Sequence, residues 1–325
     1  MLYLQLISMS HLGEILSLAV AMLWTATALF ADIASHRLGS MSVNVIRLTL
    51  ATVLIGVILF FTIGAPYPLH AGGKTWFWIA LSALVGYVFG DYCLFTSYLV
   101  MGARFGQLFM TLAPPVAAIT GWILLGEKME AVSWLAMAVT LSGIALSILS
   151  RDRGEDASEK ARLKFSVPIK GVLLGLGAGC GQGVGLVLSK IGMQFYEQDI
   201  PAESPEIMSF MIPFSATMMR AMIGAAGFIL IMALHKDLKR LYDTRKDKKG
   251  MRYAFYTTLF GPVLGVSLSL MAVQYANAGI ASTLMALTPV LIIIPYSIIY
   301  KQKPKVREIL GVFLSMAGVA MFFLL

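Results

Sequence analysis

The sequence predicts an all-α integral membrane protein of ten transmembrane helices, arranged as two inverted five-helix repeats. Three observations lead there. Charge is scarce. Apolar stretches follow one another, each about the 20 residues that a bilayer core demands of a spanning helix. Glycine and proline landmarks recur at one fixed spacing along the chain.

Hydrophobic residues make up 58% of the 325 positions and charged residues 13%, with a mean hydropathy of +0.81. Soluble chains carry about 25% charged residues, and so few charges cannot cover a water-facing surface of this size. The net charge is +8. Its Lys and Arg sit in short loops between apolar runs, as the positive-inside rule describes. The bilayer is therefore the expected partner, and nucleic acid is not. Cys93 and Cys180 lie inside apolar runs and read as small core side chains, not as a disulfide or a metal site. His11, His36, His70 and His235 fall at loops or helix ends and form no paired motif, so neither a metal nor a cofactor is expected. No Lys or Arg precedes the first apolar run, which continues through Trp24 to Phe30, so a cleavable signal is not expected.

Read in order, the spans are 13–34, 41–63, 76–98, 104–125, 131–149, 169–190, 210–233, 253–273, 280–299 and 306–324. The segments 151–170, 235–252 and 300–307 are rich in Lys and Arg and fall on one side of this ten-span model, together with Arg37 and Arg104. The loop 191–208 on the opposite side carries Glu197, Asp199, Glu203 and Glu206 instead. Cations favour the cytoplasmic face. The expected placement is the plasma (inner) membrane, with basic loops in the cytoplasm and both termini outside.

The second half repeats the first. Gly86 and Gly90 recur as Gly261 and Gly265. The same shift carries Met110-Thr-Leu-Ala-Pro114 onto Met285-Ala-Leu-Thr-Pro289 and Gly143 onto Gly318. Earlier in the unit Gly13 aligns with Gly171, Trp24 with Gln182 and Arg47 with Arg220. The expected units are 1–150 and 169–325, joined by a cytoplasmic linker at 151–168. Five helices is an odd number, so the second unit is inverted. Inverted repeats are a recurring architecture of secondary transporters, with a substrate site near the midplane between the halves.

Gly90-Asp91-Tyr92, Gly102-Ala-Arg104, Leu112-Ala-Pro-Pro115 and Gly121-Trp-Ile-Leu-Leu-Gly-Glu127 together resemble the drug/metabolite transporter superfamily, EamA type. The resemblance covers nearly the whole chain. It implies a ten-helix transporter whose central cavity is lined by both halves, acting on small metabolites that range from amino acids to sugars and drugs. One departure stands out. The first unit has Gly126-Glu127-Lys128 where the second has Lys301-Gln302-Lys303, so no role can rest on a symmetric pair of glutamates.

Ionisable groups inside a bilayer are costly, and each is a functional candidate by default. Asp32, Arg47, Asp91 and Arg104 fall in one half of the membrane within the first unit. They read either as a cytoplasmic-side gate or polar-substrate site, or as a static ion-pair network joining helices. Lys190 and Arg220 fall near the opposite, outer face of the second unit. At such depths an arginine can also snorkel to the interface, and for Arg47 and Arg220 that reading stands beside the functional one. Gln107, Thr111 and Pro114 share one face of the fourth helix, and Ser282, Ala286 and Pro289 the equivalent face of the ninth. A proline frees a backbone carbonyl that needs a partner or cavity water. Pro114 and Pro289 are therefore hinge or cavity-wall candidates, or packed kinks. Seven glycines of the sixth helix, from Gly171 to Gly185, form small-residue stripes suited to close helix packing. Trp24 and Gln182 pair an indole with an amide at equivalent positions, a combination suited to a lined cavity. Tyr92 and Gln274 complete the candidates for the substrate pathway.

The expected function is alternating-access transport of a small, amino acid-like or otherwise polar or amphipathic solute, with export as one open direction and a coupling ion or proton as a further partner. Rival classes are a non-transporting scaffold or receptor, and an intramembrane aspartyl protease built on Asp32 and Asp91. The protease signature Gly-x-Gly-Asp would need glycine where this chain has Val88, so no enzymatic activity is expected.

Overall fold

The computed structural model describes residues 11–94, 96, 97, 100, 109–150, 169–291 and 306–323. Among the described residues the principal helices follow in the expected order, with short helices at Glu206–Phe210 and Leu238–Asp243 between them. The first unit contains α1 (Leu12–Leu38), α2 (Ser40–Ile63), α3 (Gly73–Leu94), α4 (Ala113–Leu125) and α5 (Ala131–Ser150). The second contains α6 (Ile169–Asp199), α7 (Ile212–Leu234), α8 (Lys248–Tyr275), α9 (Ala278–Met285, resuming at Thr288–Leu291) and α10 (Val306–Phe323). Large apolar side chains such as Phe61, Ile123, Leu173 and Phe313 point outward. Lipid, unlike water, accepts such a surface.

The helices close on themselves because the bilayer core offers no other partner for backbone polar groups. Their ends are set by local signals. A single residue, Gly39, separates α1 from α2 at φ 85°, in a region that L side chains rarely adopt. The guanidinium of Arg240 lies where a Cβ on Gly39 would stand. The corner is tied further by Arg37, whose Nε meets Asp247 Oδ2 at 2.7 Å. Asp247 also caps α8 by accepting from Gly250 N at 2.9 Å. The Arg37 guanidinium, helped by the Gly250 amide, holds the Asp247 carboxyl below its usual range. A depressed folded-state value means that this contribution is complete above the ordinary carboxylate range and is lost as pH falls through the depressed value. Asp247→Asn should therefore flatten the acid limb of the melting-temperature profile below about pH 4 and leave wild-type behaviour otherwise nearly intact, because the pair is exposed.

The inversion of the two units is visible in the α5–α10 pair. Gly143 faces Ser315 and Gly311, while Gly318 faces Thr140 and Ala136. As the α5 position advances the α10 position retreats, so the helices are antiparallel. Each contact is the repeat-shifted image of the other. Ser315 Oγ donates to the carbonyl of Thr140, its counterpart 175 positions away. The helices α2 and α7 form a second such pair, with Leu48 against Gly224 and Met218 against Gly56. Their buried seam holds Leu48, Ala51, Ile55, Ala221, Ala225 and Phe228.

The first helix of each unit packs chiefly on the other unit: α1 lies against α8 and α9, and α6 against α3 and α4. The α6 glycines make this possible, and both stripes are occupied. Gly175, Gly179 and Gly183 receive Phe109, Leu112 and Val116, whereas Gly177, Gly181 and Gly185 receive Cys93, Gly90 and Gly86. Ser82 Oγ bonds across the seam to Gly185 O and Ser189 Oγ, each at 2.6 Å.

Two boundaries differ from expectation. The acidic stretch taken as loop 191–208 is helical as far as Asp199. Its Ile191, Met193 and Tyr196 are buried. Tyr196 Oη donates to Leu69 O at 2.7 Å, and Asp199 Oδ2 accepts from Gly72 N at 2.8 Å and Thr75 Oγ1 at 2.6 Å. These bonds to the α2–α3 connection carry the helix beyond its apolar span. The other difference lies in α4 and α9. Residues 111–112 and 286–287 are turns, and a helix restarts at Ala113 and at Thr288. Pro114 and Pro289 then occupy the first turn of a new helix, where a missing N–H costs little.

Candidate functional site

The chemistry concentrates at an irregular stretch in the middle of α3. Residues Ala83–Asp91 form a π-helix, and Leu259–Val266 of α8 form another at nearly the same repeat position. Such wide turns are rare and often mark functional sites. Each contains the two glycines of its repeat, and each faces the first helix of the opposite unit. Gly90 meets Gln182 and Gly265 meets Trp24. The amide and the indole at equivalent sequence positions thus meet equivalent glycines.

Asp91 closes the first π-segment. It is 5% exposed and each of its carboxylate oxygens has a partner. Arg47 Nη2 pairs with Oδ2. Gln182 Nε2 donates to Oδ1 at 2.8 Å and to Gly86 O at 3.0 Å. Arg220 lies on the same segment, with its guanidinium 4.4 Å above the Tyr87 ring and against the bare Cα of Gly86. Its contacts at Gly86 and Tyr87 lie five and four residues before Asp91 on the same segment. Gly86 and Gly90 explain why these side chains can come so near: a Cβ on Gly86 would stand 3.0 Å from Arg220 Nη2, and one on Gly90 3.3 Å from Gln182 Nε2.

Arg47 and Asp91 come from the first unit, Gln182 and Arg220 from the second, so the network bridges the halves. Burial of two charges costs several kcal/mol each unless attraction and hydrogen bonds offset it. For Asp91 both are present. For Arg220 a hydrogen bond is missing: its Nε, like the Tyr87 hydroxyl, is buried without a hydrogen-bond partner.

A second ionic contact lies at the end of the bundle where α4 stops. Gly126, at φ 69°, ends that helix in the left-handed region. The turn brings Glu127 inward, where Oε1 pairs with Lys190 of α6 at 2.6 Å and Oε2 accepts from Ala278 N, the first amide of α9, at 2.9 Å. Lys190 also donates to Ala276 O at 2.8 Å. Both side chains are 12% exposed. Together with Arg37–Asp247 at the opposite end, this gives, among the described residues, an ionic contact between the halves on each side of the Asp91 network.

Of the expected gate residues, Arg47 and Asp91 are brought together, while Arg104 and the side chain of Asp32 lie outside the described residues. Arg220, read from the sequence as lying near the outer face with snorkelling as one alternative, turns inward: it is 4% exposed and lies on Tyr87. The reason is helical phase, since its face of α7 carries Ala216, Thr217, Ala221 and Gly224, all buried, while Met222, Ile229 and Leu230 face outward. Gln182 joins Asp91. Trp24 is half-buried at the equivalent α8 site. Tyr92 is half-buried between two apolar clusters, and Thr111 is half-buried in the α4 break. Ser282 is buried in α9, and Gln274 is half-buried in the last turn of α8. Neither bonds to the Asp91 network among the described residues. Gln107 and the Pro289 side chain lie outside the described residues. Tyr87 and Lys190 with Glu127 were not among the expected site residues. The repeat alignment of Arg47 with Arg220 was the signal that could have drawn Arg220 into the group.

Among the described residues no three His, Cys, Asp or Glu side chains converge, and both cysteines are free thiols. The arrangement offers hydrogen bonding and charge at the seam of two inverted halves.

Comparison with known proteins agrees with this geometry. The profile of the EamA-like transporter family matches residues 11–149 and again 169–324. A permease-like protein of Bacillus subtilis (strain 168), YdzE, is 35% identical over 54 residues, which is 17% of this chain and 69% of that protein. A protein of known crystal structure superposes with a TM-score of 0.67 over 96% of both chains at 14% identity, a likeness of fold. The chain is a multi-pass membrane protein and belongs to the EamA-like transporter family.

Proposed function

We propose that the protein is a secondary transporter that carries a small, amino acid-like or otherwise polar or amphipathic solute by alternating access, without covalent chemistry. The observation that carries this reading is the buried network of Arg47 and Asp91 from one half with Gln182 and Arg220 from the other. A scaffold gains little from charges at such a seam, since apolar residues of similar volume pack there at no desolvation cost. In a carrier the same groups recognise a solute and register which way the seam is open.

The ionic contacts at the two ends fit the same cycle. Glu127–Lys190 and Arg37–Asp247 each hold the halves together at one end, and access requires one of them to part. Net pumping needs a coupled gradient, with a proton or other ion as the added partner, or exchange against a second solute. The chain lies in the plasma membrane with both termini outside and the basic segments 235–252 and 300–307 in the cytoplasm; a C-terminal reporter active only in the cytoplasm would reverse that orientation.

Purified protein should be screened by thermal shift against metabolite pools, because a ligand raises apparent stability by mass action. Solutes that register are then tested for counterflow into proteoliposomes. Labelled solute should accumulate against preloaded unlabelled solute. Counterflow equal to that of protein-free vesicles for every solute that registers would overturn the reading.

A further inference from the structure

We propose that Arg220 and Tyr87 form an anion subsite that takes the carboxylate of the transported solute. The proposal rests on the transporter reading and adds the chemical class of the group recognised. Three observations carry it.

Arg220 is a permanent cation in the middle of α7, and it is 4% exposed. Among the described residues its guanidinium lies over the face of Tyr87 at 4.4 Å and against Gly86. A ring face attracts a cation but satisfies none of its five N–H donors. The oxygens of the nearby carboxylate each bond to another side chain, Asp91 Oδ2 to Arg47 and Oδ1 to Gln182. Arg220 Nε and the Tyr87 hydroxyl are both buried without hydrogen-bond partners.

A buried guanidinium without an oxygen acceptor is an expensive arrangement. It becomes favourable when an oxyanion arrives. The planar fork of arginine matches the two oxygens of a carboxylate, and the tyrosine hydroxyl supplies a further donor. Among the described residues of this network one cation lacks an anionic partner, so a single negative charge completes it. A dianionic phosphate would bring a second negative charge with no counterpart. Gly86 contributes by having no side chain: a Cβ there would stand 3.0 Å from Arg220 Nη2.

The test is equilibrium binding to the full-length protein in detergent. Acetate and propionate are the carboxylate probes, inorganic phosphate the competing anion, and chloride at equal ionic strength the control. Melting of wild type should rise by about 2 °C or more with acetate or propionate over chloride, and by less with phosphate. Arg220→Gln should raise or preserve the melting temperature without ligand, because it removes an uncompensated buried charge, and should weaken carboxylate binding by about tenfold or more. Arg220→Lys keeps the charge without the fork and should fall between. Tyr87→Phe keeps the ring and should weaken binding by a few-fold.

A fall in ligand-free stability of Arg220→Gln, with no carboxylate-specific shift in wild type, would assign Arg220 a structural role and overturn the proposal. A larger shift with phosphate would overturn the carboxylate class. Counterflow separates this failure from failure of the transporter reading. Solute flux that survives Arg220→Gln unchanged removes the subsite alone. Carboxylate binding in a wild-type protein that moves no solute removes transport alone.

Discussion

Asp91→Asn should lower transport by about tenfold or more, the cost of losing a charged hydrogen-bond partner of about 1.5–3 kcal/mol. The substitution keeps an oxygen for Gln182, which now donates to Oδ1 at 2.8 Å, and it leaves Arg47 buried beside a neutral amide. Removal of one partner from a buried pair typically costs about 3–5 kcal/mol, so the melting temperature should fall as well. The double variant Arg47→Gln/Asp91→Asn separates structure from function. With Arg47 no longer a cation left beside a neutral amide, it should regain most of the lost stability and still fail to transport. Recovery of both properties in the double variant would make the pair a static brace between α2 and α3.

Gly181→Ala should be nearly as damaging, for a different reason. A Cβ at this position would stand 2.9 Å from the Gly90 Cα and 3.0 Å from the Val85 carbonyl oxygen. These are backbone atoms of α3, so the helix as a whole must move. Overpacking of this kind costs about 1–3 kcal/mol. The displacement also draws the neighbouring Gln182 away from Asp91, so transport should fall together with the melting temperature. Gly73→Ala is the control. A Cβ there meets nothing within 4 Å, and the change should leave both measurements within error of wild type or slightly raise stability.

Much of this fold is legible in the sequence because the bilayer imposes coarse rules. Apolar length marks the spans, and the recurrence of Gly86, Gly90, Pro114 and Gly143 shows two copies. Helix ends set by tertiary contact are another matter. Gln194, Glu197, Gln198 and Asp199 read as loop by polarity, yet the bonds of Tyr196 and Asp199 to the α2–α3 connection keep them helical. The π-segments are equally hidden. A π-turn and an α-turn differ by one residue per hydrogen-bonded ring, and glycine is compatible with both.

The site was half legible. A carboxylate deep in a span marks Asp91 without further help, and depth alone brings Arg47 to the same level. Depth is silent about direction, however. Arg220 lies as far inside its span as a snorkelling arginine would, and only the small residues at 216, 217, 221 and 224 on its face show that it turns inward. Partners across the seam, such as Gln182 on Asp91 or Lys190 on Glu127, depend on how two units dock. A single sequence does not encode that separately from the fold itself.

The exchange of first helices between the units changes what moves. Because α1 rests on α8 and α9, and α6 on α3 and α4, the bodies that tilt past one another are mosaics, each assembled from stretches of both copies. The halves defined by gene-like duplication and the halves defined by mechanics are thus different partitions of the same chain. Like two people with arms linked at the elbow, neither copy can lean without carrying a limb of the other.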